Sequence, residues 1–111
     1  LLADMPPELQ EKLLNQFEAD TREKSEAARL AAQTHDFTQL ERATHALKSV
    51  AGTFGATRLT TIAAEINTLV REEKTAAALT RVDELQSISD DTLADVKALA
   101  GEMGINLTSD P

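Results

Sequence analysis

His45 is the side chain whose neighbours say most about chemistry. A helix turns about 100° per residue, so a helical His45 lies about 200° from Leu47 and about 140° from Leu40, facing away from the apolar stripe those leucines define. Lys48 follows at i+3, Ser49 at i+4 and Gly52 at i+7, which puts a cation and two small residues on the same outward face. A neutral imidazole nitrogen is nucleophilic near neutral pH, and a nearby ammonium can hold phosphoryl oxygens during and after transfer. Small residues one and two turns on leave room for a second protein. A lone helical histidine with none of these neighbours is most often a core or surface residue without a task. His35, the other histidine, falls in a turn with no ligand partner at useful spacing and reads as a bystander. Glu41, one turn before His45, is in reach to orient the imidazole but reads first as a solvated residue. Carboxylate metal bundles use Glu-x-x-His on facing helices, and Glu41 stands four residues before His45, so no metal site is expected. No Gly-rich phosphate loop is present, so no nucleotide or other cofactor is expected either.

The elements that must position these residues are helical. Pro6 and Pro7 suit a first turn, and Leu9, Leu13, Phe17, Ala28 and Ala31 keep one side apolar to about residue 33. Thr34, His35 and Asp36 interrupt that pattern, and Asp36 followed by Gln39 resembles a capping box opening a second helix over about 37–54. Its stripe is Leu40, Ala43, Leu47, Val50, Ala51 and Phe54, with Gly55 placed to end it. Leu59, Ile62, Ala63, Ile66, Leu69 and Val70 give a third helix, closed by Glu72, Glu73 and Lys74. The last pattern, Leu79, Val82, Leu85, Ile88, Leu93, Val96 and Leu99, drifts across Ser89, Asp90 and Asp91, where a kink or capped restart is expected. Gly101 and Gly104 close it, and the tail from Gly104 to Pro111 reads as frayed. Four amphipathic helices on short connections predict an all-α, up-down antiparallel four-helix bundle with room for a short extra N-terminal turn. The acidic faces of the first and last helices read as solvated.

Composition bounds the function. The 111 residues make one domain, carry a net charge of −8 and contain no cysteine, which disfavours nucleic acid and anionic membranes and removes disulfides and thiolate metal sites. No apolar run approaches the roughly 20 residues that span a bilayer. A cytoplasmic location and protein partners are the expectation.

The string His45-Ala46-Leu47-Lys48-Ser49-Val50-Ala51-Gly52-Thr53-Phe54-Gly55 resembles the signature of histidine phosphotransfer (HPt) domains: His, x, hydrophobe, Lys, small residue, then a Leu or Phe and Gly further on. Thr34-His35-Asp36-Phe37 and Ala56-Thr57-Arg58-Leu59 extend the likeness, which is good over about residues 28–73. The resemblance implies a helical bundle without turnover of its own that exchanges phosphate with an aspartate of a response-regulator receiver domain. It matches His45 to the phosphoacceptor and Lys48 to the phosphate-stabilising lysine. Ser49 stands where Gly is most often found. Asn67 falls where the family often carries an amide near the histidine, and Arg71 falls near the rim of the docking surface, while Arg58 reads equally as part of the receiver interface or as a cap at the start of the third helix. Ala46, Ser49, Gly52 and Thr53 supply a flat face of small side chains for that docking.

Two other readings stand beside this one. A kinase dimerisation and phosphoacceptor domain also presents a histidine on a bundle, but usually follows it with an acidic residue and a nearby Pro, and here Ala46 follows and no Pro lies between Pro7 and Pro111. A helical interaction module without phosphate chemistry is the second. The expectation is one domain over 1–111, ordered over about 6–103 and monomeric. Beginning at Leu1, it reads as a piece of a larger hybrid sensor kinase whose parent chain is anchored in the inner membrane.

Overall fold

The computed structural model describes residues 4–107. They form α1 (Pro7–Gln33), α2 (Phe37–Thr53), α3 (Thr57–Arg71) and α4 (Thr75–Glu102), and Asp4 ahead of α1 has 3₁₀ conformation. Each helix packs on its sequence neighbours and α4 closes against α1, giving the expected up-down bundle. The long outer helices set the 44 Å axis, since 27 or 28 residues at about 1.5 Å each reach about 40 Å.

One construction ends all four helices. His35 (φ 54°), Gly55 (φ 72°), Glu73 (φ 61°) and Gly104 (φ 70°) each adopt the left-handed conformation just past a helix. At each end two backbone bonds close the last turn, as in Gly55 N–H to Gly52 O at 3.2 Å and Ala56 N–H to Ala51 O at 2.9 Å. The residue after the left-handed one then serves as the N-cap of the next helix, as Asp36, Ala56 and Lys74 do. Asp36 adds a side-chain cap, its Oδ1 accepting from the Gln39 N–H at 3.1 Å. Only Gly55, of the three interhelical turns, carries the residue type that favours this geometry.

The main core joins Leu40, Leu47, Leu59, Ile62, Ile66, Val82 and Leu85 with the small Ala28, Ala31, Ala51 and Ala63. A second cluster, Leu14, Phe17, Val96 and Ala100, holds α1 to α4 beyond the ends of α2 and α3. Phe17 stacks on Phe54 with ring centroids 4.3 Å apart, tying that cluster to the α2 end.

Several expectations are corrected here. Helix α4 runs unbroken through 89–91, with Asp90 and Asp91 in water and Ser89 buried. Its inward stripe is Ala78, Val82, Leu85, Ser89, Leu93, Val96 and Ala100, which does not drift once Ser89 is counted as a core position. Leu99 is exposed. In α1 the buried positions are Leu14, Phe17, Glu18, Thr21, Ser25, Ala28 and Ala31, while Leu9 points to solvent. Ser25 and Ser89 meet with oxygens 2.6 Å apart, and Gln86 Nε2 donates to Ser25 O at 3.0 Å. Glu18 is not on a solvated face: it is fully buried, with Arg22 Nε 3.6 Å from its carboxylate. Gly104 turns the tail back so that Ile105 and Leu107 pack on the second cluster; the rest of the segment expected to fray lies outside the described residues.

Candidate functional site

His45 stands on the outer face of α2, exposed, opposite the buried Leu40, Ala43, Leu47 and Ala51. The rest of that face follows the same helical arithmetic. Glu41, Arg42, Ser49, Gly52 and Thr53 are exposed, and Ala46, Lys48 and Val50 are half-buried at its margins. Thr53 donates its hydroxyl to Ser49 O at 3.0 Å, folding a polar side chain back onto the helix. A Cβ built on Gly52 meets no atom within 4 Å, so this stretch has open space above it. Val50 packs toward the second core cluster.

An open groove of about 460 Å³ borders His45, lined also by Thr38, Glu41, Arg42, Asn67 and Arg71. Arg42 and Arg71 line this groove with the histidine, Lys48 stands one turn further along α2, and none of the three makes an ion pair among the described residues. By contrast Arg58 pairs with Asp91 at 3.6 Å, Lys24 with Glu23 at 2.8 Å, Lys74 with Glu72 at 3.3 Å, and Arg81 with Glu65 and Glu84. The hydrogen bond to Lys24 holds Glu23 below its usual carboxylate range and raises Lys24 in return, and Arg29 likewise lowers Glu26. On a chain of net charge −8, two arginines against the single carboxylate of Glu41 leave this groove locally cationic.

A second groove, about 350 Å³, lies at the α2–α3 turn between Leu14, Phe17, Phe54, Arg58, Asp91 and Val96 and includes neither histidine. Among the described residues no group of three or more His, Asp or Glu is arranged to hold a metal ion, and no helix is long and apolar enough to cross a membrane.

The family model of the Hpt domain matches residues 12–100. The chain belongs to the Hpt domain family. Members of this family carry out histidine phosphotransfer in phosphorelays and interact with response-regulator receiver domains and kinases. No curated protein and no solved structure matches the chain.

In this Hpt domain the structure gathers His45, Lys48, Ser49 and Gly52 on one face and brings Arg71 to it from α3. Two further residues, Asn67 and Arg58, make contacts of their own within the bundle. Asn67 is only 5% exposed, and its Nδ2 is committed to Glu41 O at 2.9 Å and Thr44 Oγ1 at 3.3 Å, in the α2–α3 seam at the edge of the His45 groove. Arg58, largely exposed, lies 3.6 Å from Asp91 of α4. The residue that sequence reasoning passed over is Thr44. It is fully buried next to His45, and its position 100° from the histidine toward α3 was the available signal.

Proposed function

We propose that His45 accepts a phosphoryl group from the aspartyl phosphate of one receiver domain and passes it to the aspartate of another. The observation that carries this reading is the exposed imidazole with Arg42 and Arg71 in its groove and Lys48 one turn along α2, none of them in an ion pair among the described residues. An imidazole nitrogen attacks phosphorus, the N–P bond forms, and the P–O bond to the aspartate breaks with its electron pair returning to the carboxylate. The proton on the other ring nitrogen balances the charge until it passes to water. Little covalent assistance is required of this chain. Transfer depends on in-line positioning and on charge, and Lys48, one turn from His45, is the cation best placed to follow the phosphoryl oxygens. Ala46, Ser49, Gly52 and Thr53 form the flat surface on which a receiver rests, and Arg71 supplies a charged rim.

The test is to mix the chain with receivers carrying radiolabelled aspartyl phosphate. The wild type is expected to gain acid-labile, base-stable label. His45→Gln is expected to keep its helical circular dichroism and to gain none; label retained by that variant refutes the assignment. An exposed residue of this kind contributes little to the fold, so the loss is one of chemistry.

A further inference from the structure

Helices α2 and α3 share an apolar seam built from Leu40, Leu47 and Ala51 with Leu59, Ile62, Ala63 and Ile66. Apolar contact is non-directional and tolerates small rotations and slides of one helix on another. Among the described residues, the only hydrogen bonds between these two helices come from Asn67, whose Nδ2 donates to Glu41 O at 2.9 Å and to Thr44 Oγ1 at 3.3 Å. Thr44 donates its own hydroxyl to Leu40 O at 2.8 Å, so it accepts and donates at once. Both side chains are buried, where such bonds are directional and expensive to break. Glu41 O is also the carbonyl that receives the backbone N–H of His45 in the regular i to i−4 pattern of α2. Asn67 therefore grips the turn from which the histidine projects, and it does so through the backbone beneath the imidazole.

We propose that Asn67, with Thr44, is a positioning residue that sets the rotation and register of α2 against α3, and so the aim of His45 beside Arg71. The inference rests on the phosphotransfer reading. A rotation of 10° moves a side chain carried about 5–6 Å from the helix axis by about 1 Å. Misplacement by that distance is enough to cost on the order of a hundredfold in a reaction governed by alignment.

Asn67→Leu keeps a buried side chain of similar size and removes both donors, while Glu41 O retains the His45 amide. Transfer from a phosphorylated receiver is then followed over a range of receiver concentrations, beside a thermal melt. The saturating rate is expected to fall about ten- to a hundredfold, with the half-saturating concentration within about twofold of wild type. Thr44→Val is expected to lower the same rate by a smaller factor, and the double variant to fall no further than Asn67→Leu alone. An unchanged saturating rate, or a change confined to the half-saturating concentration, overturns the proposal. Where Asn67→Leu reduces the folded fraction, Thr44→Val carries the test: a lowered saturating rate supports the clamp and a wild-type rate overturns it. Failure of the wild type to take label overturns the phosphotransfer reading instead. The clamp is then tested by hydrogen exchange at the His45 amide, which Asn67→Leu is expected to speed about tenfold, with unchanged exchange overturning it.

Discussion

Gly52 offers a perturbation in which stability and docking move in opposite directions. It lies inside α2 with a helical backbone, is exposed, and a Cβ built on it meets nothing within 4 Å. Alanine there gains the helical preference that glycine lacks, about 0.5–1 kcal/mol, reduced toward the lower end by the nearness of the helix terminus. At about 4–8 °C per kcal/mol for a domain of this size, Gly52→Ala is expected to raise the melting temperature by about 2–8 °C in a circular dichroism melt at 222 nm. Gly52→Leu also fits the free protein, yet it places a branched side chain two turns from His45 on the face proposed to receive a partner. Its half-saturating receiver concentration is expected to rise about tenfold or more, equivalent to about 1.4 kcal/mol of lost docking. A lower melting temperature for Gly52→Ala would show that the space above it is not free. Wild-type receiver dependence for Gly52→Leu would take Gly52 out of the docking surface.

The turns give a matched pair of stability predictions. A Cβ at Gly55 meets no atom within 4 Å, so the cost of Gly55→Ala comes from its φ of 72° alone, about 1 kcal/mol, and the variant is expected to melt lower. Glu73 holds a similar φ of 61° without being glycine, so Glu73→Gly is expected to melt higher, by about 0.5–1 kcal/mol in stability; equal melts for both would show that this geometry does not limit the turns. In the α1–α4 seam, Ser25→Ala and Ser89→Ala are each expected to cost about 1 kcal/mol in urea unfolding. The double variant is expected to cost clearly less than their sum, because one 2.6 Å hydrogen bond is lost in all three; strict additivity would mean that the bond contributes nothing.

The bundle was legible because three of its stripes are made of large apolar residues, and Leu40, Leu47, Leu59, Ile62 and Ile66 declare their faces by spacing alone. What stayed hidden is the polar part of the core. Thr21, Ser25 and Ser89 occupy inward positions of α1 and α4, and reading Ser89 as outward is what made the α4 stripe drift and suggested a kink. Periodicity carried the answer at Ser89, and polarity masked it. Glu18 was hidden for the same reason, since its burial beside the exposed Arg22 depends on what α1 packs against. At the site, the exposure of His45 followed from helical angles. The commitment of Asn67 to Glu41 O did not, because it depends on the register of two helices, which no spacing within one helix encodes.

Helix α2 therefore does two jobs on opposite sides, and the coupling between them is narrow. Leu40, Leu47 and Ala51 hold the bundle, while His45, Ser49 and Gly52 face water. Outer-face residues of this kind can vary at little cost to stability, so a single bundle can be retuned for different receivers without being refolded. The freedom carries a risk, because a nucleophile on a helix held only by apolar contact has no fixed azimuth. Thr44 and Asn67 lie at the border of the two faces, buried like the core and bonded to the turn that bears His45. Substitutions on the outer face are thus expected to move receiver affinity, substitutions in the seam stability, and substitutions at these two positions the rate of transfer itself.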